Sequence, residues 1–293
     1  ARGDVKVVGI TPAMATGCSL TIMRKEFPER VFDVGIAEQH AVTFSAGLAI
    51  NGYIPFCNIY SSFFQRGYDQ VIHDIALQKL PVVICLDRAG IVGEDGPTHH
   101  GAFDLAFLRA VPNLIIASPI NEIELRQMLY TAYCQREKPF VIRYPRGRGV
   151  LQNWKVPFEE LPIGKAQILK KGEKMAILSL GPLGNFVAEA LETLREENIM
   201  PAHINVRFLK PLDYDMLKEI SSQYNTLITV EDGTELGGLY SAVSEYLSEN
   251  HLQNKLYKIA LPDKFIEHGS ADSLYVQLGM DRKGIADLIR KHY

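Results

Sequence analysis

Asp33-Val34-Gly35-Ile36-Ala37-Glu38-Gln39-His40-Ala41-Val42-Thr43-Phe44-Ser45-Ala46-Gly47-Leu48-Ala49 is the stretch that decides how this chain is read. Val31 to Val34 has the character of a buried strand ending. Ala41 to Ile50 carries no charge and many small residues, as a helix does when packed tightly on a sheet. Glu38 stands at the handover between them, the one carboxylate of the central run. A carboxylate there is costly to bury unless it is paired or protonated. It is therefore either a structural hydrogen-bond partner or an acid tuned for chemistry.

The alternation continues outward from this stretch. Strands are expected near Val5–Ile10, Val31–Val34, Ile54–Tyr60, Val82–Leu86, Leu114–Ala117 and Phe140–Arg143, with helices at Glu38–Ile50, Ser62–Gln78, Gly101–Arg109 and Glu122–Arg136. After Arg146 the pattern breaks into Gly147-Arg148-Gly149, Trp154 and a proline-bounded stretch to Pro162. A second set follows, with strands at Met175–Leu180, Ala202–Val206, Leu227–Glu231 and Lys255–Ala260. Its helices fall at Leu183–Asn198, Tyr214–Tyr224, Gly238–Asn250 and Arg282–Lys291, the last capped by Asp281. The fold class expected is α/β: two consecutive α/β domains with mainly parallel sheets, over residues 1–150 and 163–293, joined by a linker at 151–162.

The 293 residues are 47% hydrophobic and 22% charged, with a net charge of −3. That composition suits a globular, cytoplasmic protein, and the absence of any Lys/Arg block argues against a nucleic-acid surface. Cys18, Cys57, Cys85 and Cys134 are widely spaced with no Cys-x-x-Cys, which points to reduced thiols. Ala41 to Tyr60 is uncharged over the length of a membrane span, but Asn51-Gly52 and Pro55 divide it into helix, turn and strand. No signal peptide is visible, and the chain begins at Ala1 almost directly in a strand, as if in the middle of a longer protein.

In open parallel sheets, function collects at the carboxyl ends of the strands. Tyr60 is followed by Ser61-Ser62-Phe63-Phe64-Gln65-Arg66. Leu86 is followed by Asp87-Arg88-Ala89-Gly90 and then by Asp95-Gly96-Pro97-Thr98-His99-His100-Gly101. Ile142 is followed by Arg143-Tyr144-Pro145-Arg146. Arginine forks suit phosphate or carboxylate groups, although an arginine after a strand is more often a solvated surface residue. The His99-His100 doublet lacks an acid at helical spacing and is weak evidence for a metal, so no metal ligands are assigned on this chain. No Gly-x-Gly-x-x-Gly, Walker or Gly-x-Ser-x-Gly sequence occurs.

Taken together, Gly35-Ile-Ala-Glu38-Gln-His, Tyr60-Ser-Ser-Phe63-x-Gln-Arg66, Asp87-Arg88-Ala-Gly and Asp95-Gly-Pro-Thr-His99 resemble thiamine-diphosphate enzymes of the transketolase group. Tyr68-Asp-Gln-Val-Ile-His73-Asp and Gly101-Ala-Phe-Asp-Leu-Ala-Phe-Leu-Arg109 are closest to its 1-deoxy-D-xylulose-5-phosphate synthase branch. Asn205 to Asp213 and Ala260 to Ile266 resemble that branch's C-terminal domain. The resemblance implies a pyrimidine-binding domain followed by a transketolase C-terminal-like domain. It implies that Glu38 hydrogen-bonds the aminopyrimidine ring of thiamine diphosphate, that Phe63 stacks on it, and that Tyr60, Arg88 and Arg146, with Arg66 as a lesser candidate, hold the acceptor phosphate. Asp95 and His99 would lie near the reacting centre and move protons. Pyruvate and glyceraldehyde 3-phosphate are the implied substrates, and a homodimer the implied assembly.

The family's Gly-Asp-Gly…Asn sequence for diphosphate and Mg²⁺ has no match here. Glu94-Asp95-Gly96 and Glu231-Asp232-Gly233 both lack its leading glycine. The Mg²⁺ ligands are thus expected on a missing N-terminal domain, and the isolated chain is expected to be inactive. Two alternatives compete with this reading. One is the β-type subunit of a 2-oxo-acid dehydrogenase or of a split transketolase; the other is a non-catalytic partner module.

Overall fold

The computed structural model describes residues 1–293. The first half forms six parallel strands: β1 (Val7–Thr11), β2 (Val31–Asp33), β3 (Ile54–Tyr60), β4 (Val83–Asp87), β5 (Ile115–Ala117) and β6 (Phe140–Arg143). The second half supplies β7 (Gln167–Lys170), β8 (Met175–Leu180), β9 (Ala202–Asn205), β10 (Phe208–Lys210), β11 (Thr226–Thr234) and β12 (Lys255–Leu261). One sheet runs β10-β5-β6-β4-β3-β1-β2 and the other β12-β11-β8-β9-β7. All pairings are parallel except β10 on β5 and β7 on β9.

Strand alternation sorts the first sheet into two faces. Cys57, Ile59, Ile84, Leu86, Ile116 and Val141 pack with Ala41, Val42 and Ala46 of the helix Glu38–Ile50. Val83, Cys85, Ile115, Ala117, Phe140 and Ile142 pack with Met128 and Ala132 of the helix Glu122–Cys134. Because the six strands are parallel, their carboxyl ends emerge on one edge, where the loops meet.

The two halves are more firmly joined than a sequence-drawn linker implies. Strand β10 leaves the second half to extend the first sheet, with Phe208 fully buried against Phe140. Lys210 Nζ donates to the carbonyls of Arg109 and Val111 at 2.8 and 2.6 Å. The largest core cluster, of 38 residues, runs through both halves. Residues 151–162 form no regular element but are pinned to the helix Glu122–Cys134, through Arg126 Nε to the Val156 carbonyl (2.8 Å) and Phe158 stacked on Tyr130.

Two expected helices differ. The segment expected over Ser62–Gln78 is composite: α at Ser61–Phe64 and Tyr68–Gln70, 3₁₀ at Gln65–Gly67, and a wider π turn at Val71–Ala76. Gly67 lets this segment approach the helix Glu38–Ile50 closely, since a Cβ there would lie 3.0 Å from Val42. The helix expected from Gly101 begins instead at Asp104. Gly101 is held extended by reciprocal backbone bonds with Gly90, at 2.9 and 2.8 Å. No helix is long and apolar enough to cross a membrane; Ala41 to Tyr60 is the end of one helix, a turn and β3.

Candidate active site

Each strand end delivers its side chains to the same edge. Glu38 opens the helix after β2, with only 2% of its side chain exposed. Phe63 and Arg66 follow β3, Arg88 follows β4, and Arg146 follows β6. Arg66 Nη1 approaches Glu38 Oε1 at 3.4 Å and is the only side-chain partner of that carboxylate. The Arg66 guanidinium also lies 5.2 Å from the centroid of Phe63. Phe63 meets Tyr60 face to face at 5.8 Å and His99 edge-on at 5.1 Å. Arg88 covers the other part of Tyr60 at 3.9 Å.

Asp95 then ties the two arginines together. Its Oδ2 accepts from Arg146 Nη1 at 3.0 Å and from Arg88 Nη1 at 3.4 Å. All eight residues singled out in the sequence are thus linked in one string: Glu38, Arg66, Phe63, Tyr60, His99, Arg88, Asp95 and Arg146. They do not share one cavity. Arg88 and Arg146, together with Arg148, line a cleft of about 460 Å³ that reaches Pro182 and Asn185 of the second half. Glu38, Arg66, Phe63 and His99 do not line it and connect to it through Tyr60, whose ring lies under Arg88.

Backbone geometry sets this up. Arg88 has a left-handed φ of 62°, a conformation that costs a non-glycine residue roughly 1–3 kcal/mol and needs support from its surroundings. Ala89 N donates to the Tyr144 carbonyl at 3.0 Å, tying the loop after β4 to the one after β6. Gly17 makes room for Tyr60, since a Cβ there would lie 1.8 Å from the phenol oxygen. Burial raises the Tyr60 phenol above its ordinary pKa, so it stays a protonated donor at neutral pH. The two adjacent histidines diverge: His99 faces Phe63, whereas buried His100 accepts from Val92 N through Nδ1 at 3.0 Å.

Sequence reasoning missed a second tier of side chains. Asp87 lines the cleft beside Arg88 and is 8% exposed; burial pushes its carboxyl up to about 6. Arg143, 1% exposed, donates through Nε to Asp104 Oδ2 at 2.9 Å and through Nη1 to Asp232 Oδ1. Ser61 Oγ donates to the same Asp104 oxygen at 2.9 Å. A strand-end arginine was visible at position 143, but only side-chain direction separates it from Arg146. Glu231 is buried as well, and burial pushes its carboxyl up to about 7. It accepts from Leu239 N and Tyr240 N at 2.9 Å each, so the helix start after β11 is filled by the chain's own carboxylate.

The pH dependence of Asp87 has a defined sign. A carboxyl raised from 3.8 to about 6 keeps its proton in the folded state while the unfolded chain has lost it, so its ionisation destabilises the fold as pH rises from about 4 to about 6. Asp87→Asn should therefore gain stability relative to the wild type by about 3 kcal/mol between those limits, and no further above pH 6. Urea denaturation of both proteins at the two pH values measures this. A difference independent of pH would show that Asp87 titrates as an ordinary surface carboxylate.

The architecture agrees with comparisons to known proteins. Residues 1–150 match the model of the transketolase pyrimidine-binding domain, and residues 164–285 that of the transketolase C-terminal domain. The chain belongs to the transketolase family. Among curated relatives, the 1-deoxy-D-xylulose-5-phosphate synthase of Parabacteroides distasonis is 56% identical over 99% of this chain and 46% of its own length. That of Cytophaga hutchinsonii is 55% identical over 99% of this chain and 46% of its own length. The chain thus spans about half the length of these relatives. A solved split-gene transketolase, described as an inactive β4 tetramer, superposes with a TM-score of 0.86 at 28% identity, over 99% of this chain and 93% of that one.

The residues present suit one end of the cofactor family members are built around. Glu38 is buried with a single, largely exposed arginine partner, which leaves carboxyl oxygen capacity for a ring nitrogen. Phe63, joined to Glu38 through Arg66, adds an aromatic ring able to fix a flat heterocycle without polar cost. No group of three or more His, Cys, Asp or Glu side chains is arranged to hold a metal ion.

Proposed function

We propose that this transketolase-family chain is the pyrimidine-binding and C-terminal part of a thiamine-diphosphate-dependent synthase. The reaction decarboxylates pyruvate and joins the remaining two-carbon unit to glyceraldehyde 3-phosphate, giving 1-deoxy-D-xylulose 5-phosphate. The observation that carries this reading is the continuous string from Glu38 to Arg146, on a chain 56% identical to a protein named for that reaction. The 28% identity to a split-gene transketolase is a weaker match to the alternative two-chain reading.

In this reading the cofactor supplies a carbanion nucleophile and an electron sink, and the chain's own residues supply position and proton control. Glu38 holds a proton at the aminopyrimidine nitrogen, and Phe63 stacks on that ring. Arg88 and Arg146, with Tyr60 and the more exposed Arg66, bind the acceptor's phosphate. Bidentate arginine forks suit a dianion, which would compete with Asp95 for them. His99, set against Phe63, exchanges a proton with the aldehyde oxygen, and Asp95 of the same loop assists. Diphosphate and Mg²⁺ are assigned to residues outside this chain. A cytoplasmic homodimer completes the reading.

The test is glyceraldehyde-3-phosphate-dependent release of carbon dioxide from pyruvate, with thiamine diphosphate and Mg²⁺. It compares this chain alone with a protein that also carries the N-terminal half present in its relatives. Activity is expected only with that half. Full activity of the chain alone would refute the split of cofactor contacts. A folded full-length protein with no activity would refute the synthase reading itself.

A further inference from the structure

Four strand ends carry the proposed active residues, and one buried arginine touches or adjoins three of them, those after β3, β4 and β6. Arg143 lies three residues before Arg146 on the same strand end. Its Nε reaches Asp104, which also holds Ser61, two residues before Phe63. Its Nη2 approaches the carbonyl of Gly101 at 3.4 Å, and Gly101 pairs with Gly90, two residues after Arg88. Its Nη1 is bound by Asp232. Asp232 comes from β11, in the second half of the chain, and is fully buried.

The charges around Arg143 are unbalanced. One guanidinium faces two fully buried carboxylates, with the raised carboxyl of Glu231 adjoining. Asp232 Oδ2 has no hydrogen-bond partner. That oxygen presses on the loop instead: a Cβ at Gly90 would lie 2.3 Å from it. Simple domain adhesion does not require an unsatisfied carboxylate oxygen against a glycine at which the Arg88 loop turns, with a φ of 71°. Hydrophobic residues of similar volume would hold the halves together at least as well.

We infer that Asp232 is a positioning residue for the first domain's strand-end groups, acting through Arg143. It fixes the guanidinium, and the guanidinium fixes the Asp104–Ser61 and Gly90–Gly101 arms that aim Phe63, Arg88 and His99. Asp232 of the C-terminal domain thereby takes part in acceptor recognition without touching substrate. The choice of assay rests on the proposed synthase reading.

Two measurements on the full-length protein test this, using Asp232→Asn, which keeps the volume and removes the charge. Hydrogen exchange should quicken in peptides covering residues 88–101, while the rest of the C-terminal domain keeps its protection. KM for glyceraldehyde 3-phosphate should rise about tenfold with KM for pyruvate unchanged, as expected when a phosphate-binding arginine is mis-aimed. A purely structural role would lower activity only in proportion to the folded fraction and leave both KM values alone; that result overturns the inference. If Asp232→Asn does not fold, Ser61→Ala, which removes one hydroxyl from the same chain of bonds, should give the same KM split in weaker form. Unchanged acceptor KM in that variant likewise overturns it. Glu38→Gln in the same assay separates the two readings. If it retains activity, the synthase mechanism fails. If it is inactive while Asp232→Asn behaves as wild type, only the present inference fails.

Discussion

Glu38→Gln in the full-length protein is expected to lower kcat by about 10³-fold with little change in fold or in thermal stability. Glutamine keeps the shape and one acceptor oxygen but cannot hold a transferable proton on a ring nitrogen. The effect should therefore fall on turnover rather than on folding. Glu38 starts its helix and receives only the 3.4 Å approach of the exposed Arg66, so the neutral side chain breaks no extensive network. Steady-state kinetics together with circular dichroism decide the matter. Activity within about twofold of the wild type would remove Glu38 from the mechanism.

Arg143→Met should have the largest effect on stability. Removing one partner from a buried ion cluster leaves uncompensated charge, which typically costs about 3–5 kcal/mol. For a chain of this size that corresponds to a Tm lower by roughly 10 °C. Asp104 and Asp232, both fully buried, would each lose their guanidinium. The triple variant Arg143→Met, Asp104→Asn, Asp232→Asn should recover most of the loss, because its remaining groups are neutral. Scanning calorimetry of the single and triple variants checks this. Equal Tm values for the wild type and Arg143→Met would mean that the cluster is solvated after all.

Much of the fold could be read from the chain because parallel strands buried on both faces form continuous apolar runs, and Val83–Asp87 and Met175–Leu180 are such runs. The helix Arg282–His292 was equally clear, since Asp281 caps it by accepting from Gly284 N at 3.0 Å. The elements that escaped share a different cause. The helix Leu20–Glu26 starts from Ser19, which lies in a left-handed conformation and makes no side-chain cap, and its seven residues are too few to show a helical period. Strand β10 is three residues long and bonded to a strand some 90 residues earlier. Its stability comes from Phe208 packing on Phe140, which no local pattern encodes.

The candidate site divides along the same line. Glu38, Phe63, Arg88, Asp95, His99 and Arg146 follow strand ends in the sequence, and parallel strands must deliver their ends to a common edge. Their proximity is therefore implied by the sequence itself. Tertiary structure alone decided which charges meet which. Arg143 and Arg146 are three residues apart on one strand end, yet one is 1% exposed between two aspartates and the other 43% exposed, in the cleft beside Asp95. Likewise, Asp87 and Asp95 are both loop acids in the sequence, but Asp87 is buried, its carboxyl raised to about 6, whereas Asp95 is 38% exposed between Arg88 and Arg146. Local sequence sets periodicity and the order of strands. Burial and pairing of charge depend on residues distant in the chain, such as Asp232 opposite Arg143, and their energies exist only once those residues have been brought together.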